Sequence, residues 1–452
     1  MIPVYKSPGK KELKEILKRP GIDQAKISKI VRPILDKVKR SGDDALKKLA
    51  LEYDHVELDS LWVSEAEFAT ADAQVQDTLK EAIQVAYANI KKFHEAQKQD
   101  DLIMEVMPGV ICSRRSVPIQ KVGLYIPGGT APLFSTVLML AIPAKIAGCK
   151  EIILASPTNR LGEINPVVLY TAKLVGVDKV LKVGGAQAIA AMAYGTETVP
   201  KVHKIFGPGN QYVTAAKQLV AQTDVAIDMP AGPSEVLVVV DESSDAAFAA
   251  ADLLSQAEHG GDSQVVLIST SVEKAEEINA EVEAQLEKLY RKDMAGQALE
   301  KSSVIVESRK EKIIKIINKY GPEHLIINTQ DAEEIAEQVS NAGSVFIGAY
   351  TPESAGDYAS GTNHTLPTNG WAKSFSGVSL DSYVKKITYQ KIDEEGLLHL
   401  GPTIERMAEA EMLEAHKNAV TIRLKKLRED GISAATNKKP HKDLKSVLFG
   451  KR

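Results

Sequence analysis

The sequence predicts an α/β fold built on parallel sheets, and three observations carry that expectation. Short β-branched apolar runs recur at 122–126, 151–155, 177–183, 202–206 and 236–240, and small-residue stretches with helical character separate them. The runs are apolar on both faces, as strands are when helices cover a sheet from either side. The same alternation resumes at 264–268, followed by a charged helix over 272–291, runs at 303–306 and 324–327, a helix near 331–339 and a run at 344–347.

The flanks read differently. From Ile27 to Val38 the apolar residues Ile27, Ile30, Val31, Ile34, Leu35 and Val38 fall at helical spacing, with Pro33 expected to kink that helix or mark its first turn. A second helix is expected after an Asp43 cap, and beyond Thr388 the pattern is helical again, clearest over 402–427. Residues 437–452 carry six basic residues against one acid and read as a solvated tail.

Composition bounds the function. At 452 residues the chain is long enough for two large domains with appendages or about three domains. Its 56 Lys and Arg nearly balance its 60 Asp and Glu, giving −4, so no overall field draws it to nucleic acid or an anionic membrane. Cys112 and Cys149 are the only cysteines, which excludes a disulfide framework and a thiolate-rich structural zinc site and fits a reducing compartment such as the cytoplasm. The N-terminal stretch is rich in lysine and lacks the apolar core of ~7–15 residues that a secretory signal needs. The most apolar stretch, 131–148, is interrupted by Ser135, Pro143 and Lys145, short of the ~18 apolar residues of a membrane span.

Of nine histidines, four lie in segments rich in Gly, Asn, Asp or Glu: His259, His324, His364 and His416. Gln256 and His259 are three apart, so on a helix they share a face and can share a metal, although Gly260-Gly261 also reads as a simple helix end. Asp357 and His364 bracket a Gly/Ser-rich loop that suits a site better than a core. Glu323-His324 opens an apolar run after Gly321-Pro322 and can supply an acid/base pair, provided the backbone turns there, since neighbours on a strand face opposite ways. His416, on a helix far along the chain, reads by itself as a surface or interface residue.

Three glycine segments follow strands and are candidates for holding phosphate: Gly128-Gly129-Thr130, Gly184-Gly185-Ala186-Gln187 and Gly207-Pro208-Gly209-Asn210. None completes G-x-G-x-x-G, since Tyr212 stands where the third glycine from Gly207 belongs, and no Walker lysine follows. Apart from Lys150, nothing in the sequence around Cys149 would lower a thiol pKa, so both cysteines read as inert small hydrophobes.

Taken together, the segments VGLYIPGGTAPLFSTVLML, GGAQAIAAMAYGTETVPKV, KIFGPGNQYV, DMPAGPSEVLV, LLSQAEHGGDSQV, GPEHL, ESAGDYASGTNHTLPT and HKNAVTIR resemble the L-histidinol dehydrogenase family, in the same order from about residue 25 to 430. The resemblance implies two incomplete Rossmann-like domains of aldehyde-dehydrogenase-like kind with small helical terminal segments, in a domain-swapped homodimer. The implied layout is an N-terminal helical segment at 1–24, a discontinuous first α/β domain at 25–121 and 235–378, a second, NAD-side domain at 122–234, a dimer-swapping segment at 379–431 and a basic tail at 432–452.

The same resemblance places one Zn²⁺ per subunit on Gln256, His259 and Asp357, with His416 from the partner copy, an interface role for that residue. It makes Glu323 and His324 the acid/base residues, puts Ser234, His364 and Glu411 with the zinc ligands and His324 around the substrate, and gives NAD to Tyr125, Gln187 and Asn210. The implied reaction is the oxidation of L-histidinol through the aldehyde to L-histidine with two NAD. Competing expectations are a related zinc and NAD alcohol dehydrogenase acting on a sulfonated diol, a zinc hydrolase using Glu323 to activate water, and a binding protein without catalysis. Glu411 and His364 favour a cationic or imidazole substrate, because a carboxylate repels a sulfonate.

Overall fold

Valine- and isoleucine-rich runs that must be buried on both faces find their places in two parallel sheets. A computed structural model describes residues 1–20, 24–128, 132–177, 179–432 and 444. Its strands, in chain order, are β1 (Val4–Lys6), β2 (Leu102–Met107), β3 (Val110–Pro118), β4 (Lys121–Tyr125), β5 (Glu151–Ala155), β6 (Val180–Leu181), β7 (Lys204–Phe206), β8 (Ala226–Ile227), β9 (Glu235–Val240), β10 (Gln264–Ser269), β11 (Ser303–Val306), β12 (His324–Asn328), β13 (Ser344–Ile347) and β14 (Val384–Ile392). One parallel sheet runs β6-β5-β4-β7-β8 and the other β1-β11-β10-β9-β12-β13.

Each sheet sorts its side chains by the two-residue period of a strand. In the six-stranded sheet Val236, Val238 and Val240 pack with the helices Ala246–Ala257 and Val272–Leu286, while Leu237 and Val239 pack on the opposite side with Lys310–Tyr320. In the five-stranded sheet Val122, Leu124 and Leu154 face the helices Phe134–Ala147, Pro166–Val175 and Asp77–Glu95, whereas Tyr125, Ile153 and Ile205 face Gln24–Leu49, Gly185–Tyr194 and Gln211–Val220.

Both sheets also reverse their winding once. In the first sheet the chain moves outward from β4 through β5 to β6 and then returns to β7 on the other side, so the switch point lies between β4 and β7. In the second it lies between β9 and β12.

The expected layout needs three corrections. Residues 1–24 are not only helical, because β1 extends the six-stranded sheet beside β11 before the helix Lys10–Ile16 begins. The helices between residues 24 and 95 pack on the five-stranded sheet, not on the sheet from 235 onward with which they were expected to share a domain. Residues 98–118 belong with the C-terminal part: β3 and β14 form a nine-residue antiparallel ladder, and the chain divides into one unit of Met1–Gln97 with Ile119–Tyr383 and a second of Lys98–Pro118 with the chain from Val384 onward.

Local departures have local causes. The helix Gln24–Leu49 runs through Pro33 and breaks instead at Gly42, whose positive φ of 46° is open to glycine. The expected helix over 402–427 is two helices, Glu394–Ala410 and Glu414–Glu429, parted at Met412 with φ of 58°. Gly129 and Thr130 and all of the basic tail from 433 except Leu444 lie outside the described residues. Among the described residues no helix is long and apolar enough to cross a membrane.

Candidate active site

A cavity of about 420 Å³ opens where the two sheets of the first unit meet, and its wall follows from their switch points. The loops that leave the carboxyl ends of β4 and β7 supply Pro127, Pro208, Gly209 and Asn210. The amino ends of β9, β10 and β12 supply Ser234, Ser263, Glu323 and His324. The carboxyl edge of one sheet thus faces the amino edge of the other, which brings dinucleotide-type loops opposite titratable side chains.

Glu323 and His324 reach the same cavity because the chain turns before the strand. The helix Lys310–Tyr320 stops at Gly321, with φ of 61°, and Pro322 cannot extend it. Glu323 precedes β12 and accepts from the Glu235 main-chain N–H at 3.0 Å, leaving its Oε2 3.7 Å from His324 Nδ1. His324 Nε2 stands 3.5 Å from Asp357 Oδ1, and neither ring nitrogen has a hydrogen-bond partner among the described residues.

Electrostatics are strong here because the groups are buried. Burial opposes the His324 imidazolium, but Glu353, Glu323 and Asp357 outweigh it and hold the ring's pKa up at about 10. Burial pushes the Glu323 carboxyl up to about 8 against the pull of His324. Asp357 is also penalised by burial, yet its contact with His324 keeps it below the ordinary carboxylate range.

The helix Ala246–Ala257, capped by the Asp245 side chain on the N–H groups of Ala247 and Phe248, ends where the sequence places Gln256 and His259. That segment is both a helix end and a wall of the cavity. Gln256 is buried, and its Oε1 has no hydrogen-bond partner among the described residues. His259 Nε2 lies 3.9 Å from Asp357 Oδ2, and burial lowers its pKa, favouring the neutral form that binds metals. Donor atoms of His259, Asp357 and Glu353 lie within 4.8 Å of one another. An unpartnered buried amide oxygen beside imidazole and carboxylate donors fits a divalent cation of the zinc type.

Glu353 is the residue that reading by segments missed. It opens the helix Glu353–Tyr358 and is 1% exposed, with Oε1 unpartnered among the described residues and 4.0 Å from His324 Nδ1. The available signal was its spacing: four residues before Asp357, it shares that helix's face.

The remaining expected residues divide by place. Ser234 and His364 line the cavity, the latter with both ring nitrogens engaged, Nδ1 with the Asp357 carbonyl at 2.8 Å and Nε2 with Thr136 Oγ1 at 3.0 Å. Asn210 lines it too while its Oδ1 accepts from Tyr212 and Val213 N–H, capping Gln211–Val220. Tyr125 and Gln187 are not part of this lining. The Tyr125 hydroxyl accepts from the Gly185 N–H at 3.1 Å, and Gln187 is buried within the helix that begins there. Glu411 and His416 belong to the second unit, where both are exposed.

A crevice at the switch point of a doubly covered parallel sheet, closed by a buried acid/base pair, is the site of an α/β enzyme of the dinucleotide-using class. Comparison with known proteins narrows the class. The sequence profile described as histidinol dehydrogenase matches residues 17–424. A histidinol dehydrogenase of Bacteroides fragilis (strain YCH46) is 57% identical over 426 residues, 94% of this chain and all of that one, and one of Campylobacter jejuni (strain RM1221) is 52% identical over 94% of this chain and 99% of its own. The crystal structure of histidinol dehydrogenase from Elizabethkingia anophelis superposes with a TM-score of 0.92 at 52% identity, covering 94% of this chain and 99% of that one. The chain belongs to the histidinol dehydrogenase family and is an NAD-dependent oxidoreductase.

Proposed function

We propose that this protein oxidises L-histidinol through L-histidinal to L-histidine, the closing steps of histidine biosynthesis, with two NAD consumed per histidine and one Zn²⁺ per subunit. The observation that carries the reading is His324: among the described residues its two ring nitrogens have no hydrogen-bond partner, and they lie among Glu323, Glu353 and Asp357, in the cavity that also holds Gln256 and His259.

The chain's residues divide the work. In the first half-reaction His324 takes the hydroxyl proton of the alcohol as a hydride leaves the adjacent carbon. In the second, Glu323 takes a proton from water as it adds to the aldehyde, and His324 then takes a proton from the resulting diol as the second hydride leaves. Four electrons depart in two pairs, and the carbon ends as a carboxylate. Ser234 and His364 orient the substrate from the cavity wall.

Gln256, His259 and Asp357 would hold the zinc, which when bound would supply a fixed positive charge that orients the substrate nitrogens and offsets the carboxylates around His324, favouring the neutral imidazole a base must be. NAD would lie on the side of the five-stranded sheet, where one helix begins at Asn210 in the cavity wall and another at Gly184 outside that lining, beyond the carboxyl ends of β7 and β6. Tyr125, Gln187 and Asn210 would hold it, which makes the five-stranded sheet the cofactor side.

The fourth zinc ligand, His416, and the substrate-facing Glu411 would come from the partner copy in a homodimer. The support is the second unit's own surface: Met407, Met412, Leu413 and Ile422 are exposed apolar residues around these two polar ones. A cytoplasmic enzyme is the reading that accords with two free thiols and a biosynthetic role.

The test follows NADH absorbance with L-histidinol and quantifies histidine. Two NADH per histidine supports the reading. Preference for dihydroxypropanesulfonate in the same assay, or hydrolysis without NADH, overturns it.

A further inference from the structure

Gly207 directly follows β7 and begins the loop whose next three residues, Pro208, Gly209 and Asn210, form the cavity's wall on the five-stranded sheet's side. Its φ is 124°, and a Cβ there would lie 2.1 Å from the Tyr125 carbonyl oxygen, so the loop is pressed against the end of β4 at the switch point. Only glycine permits that approach.

Both main-chain polar groups of Gly207 are held by the two halves of one ion pair. Its N–H donates to Asp228 Oδ2 at 2.8 Å, and its carbonyl accepts from Lys217 Nζ at 2.7 Å. Lys217 Nζ lies 2.5 Å from Asp228 Oδ1, and the two side chains are 5% and 1% exposed. Asp228 Oδ1 also accepts from the Met229 N–H at 2.7 Å, and the Asp228 N–H donates to the Ile205 carbonyl at 3.0 Å. A closed circuit results: Asn210 caps the helix Gln211–Val220, that helix carries Lys217, and Lys217 returns to the residue that starts the loop.

A pair buried this far carries a large desolvation cost and is poorly explained as a stabiliser, since apolar residues of similar volume often serve a fold as well. What apolar residues cannot do is hold an N–H and a C=O of one glycine at fixed positions. We propose that Lys217 and Asp228 are positioning residues that fix the Gly207–Asn210 loop in the geometry the dinucleotide takes. Neither touches the reacting atoms. The proposal rests on the reading that Asn210 contacts NAD.

The experiment measures NAD binding by calorimetry in the absence of substrate, hydrogen exchange of the loop amides, and the KM values for NAD and L-histidinol. The variants are Lys217→Met/Asp228→Asn, which removes both charges together, Asp228→Asn alone, which keeps the shape and the acceptor for Gly207, and Asn210→Ala. With the loop unpinned, the double variant is expected to bind NAD about tenfold or more weakly, with faster exchange at Gly209 and Asn210, a raised KM for NAD and a parental KM for histidinol. Asp228→Asn moves the same way to a smaller extent. If Asn210→Ala weakens NAD binding while both pair variants bind and exchange as the parent does, the positioning role is wrong. If Asn210→Ala itself binds NAD as the parent does, the cofactor reading of the loop fails first. A double variant in which both KM values rise together with a general rise in exchange assigns the pair to the fold and overturns the proposal.

Discussion

Glu353 and Asp357 stand on either side of one imidazole: Glu353 Oε1 is 4.0 Å from His324 Nδ1, and Asp357 Oδ1 is 3.5 Å from Nε2. They can do so because they lie four residues apart on a single short helix, one turn's spacing. A base flanked in this way has its ring orientation and its charged form set by its neighbours. Glu353→Gln keeps the shape and removes the charge facing Nδ1. Removing a carboxylate that favours the imidazolium lowers the His324 pKa, so the acid limb of the kcat profile is expected to move to lower pH. The plateau is expected to fall by on the order of 10²-fold, because the base is then weaker and its product less stabilised. An unchanged pH profile would leave Glu353 a bystander.

Asp357 is also shared, since its other oxygen faces His259 Nε2 at 3.9 Å. One carboxylate would therefore serve both the proposed base and the proposed zinc donors. Asp357→Asn is expected to lose both functions: zinc content after dialysis drops well below that of the parent, and added zinc restores little turnover. In the parent enzyme, by contrast, a chelator is expected to abolish activity and zinc to restore it. Elemental analysis beside the activity assay checks this, and full metal content in the variant would contradict it.

Most strands of the two parallel sheets were legible in the sequence because burial on both faces leaves no polar residue to interrupt a run such as Val236 to Val240. The Gln256 and His259 pair was legible for a similar local reason, a helical spacing followed by glycines. Which helices cover which sheet was not, since an amphipathic stretch such as 24–49 states that it has an apolar face without stating what covers it. The partnership of β3 with β14 was hidden because the two strands lie more than 260 residues apart and neither is a fully buried apolar run. The placement of Glu323 beside His324 depended on a turn that Gly321 and Pro322 make possible, and only the backbone shows that the turn is made. Glu353 went unread because a lone carboxylate before a small-residue segment resembles any helix start.

Glu307 offers a test of the fold away from the site. It is almost fully enclosed, with its oxygens 2.7 Å from Arg309 Nε and 3.3 Å from Lys312 Nζ. The bonds from Arg309 and Lys312 draw its carboxyl down to about 2. A carboxyl whose folded pKa is lowered contributes stability that is fully present above its unfolded value of about 4.5 and is lost as pH falls toward about 2. The melting-temperature gap between the parent and Glu307→Gln is therefore expected to be constant near neutrality and to narrow as pH drops from about 5 toward about 3. A gap that widens on acidification would reverse the sign and refute the assignment.

Cys149 decides between two ways of taking an aldehyde to an acid. A thiolate can carry the acyl group, but this thiol is buried at a helix end, and burial pushes its pKa up to about 11. Its sulfur packs against the Tyr383 carbonyl and does not line the cavity. The proposed mechanism accordingly adds water directly to the aldehyde, with Glu323 as the group that would take its proton. The double variant Cys112→Ala/Cys149→Ala is expected to retain both half-reactions, with kcat for histidinal within about twofold of the parent. In the folded parent, Cys149 is expected to react with a thiol reagent only after denaturant is added. Oxygen-18 water should appear in the histidine carboxylate with either protein. Loss of the aldehyde step alone in the double variant would restore a covalent route and remove the role given to Glu323.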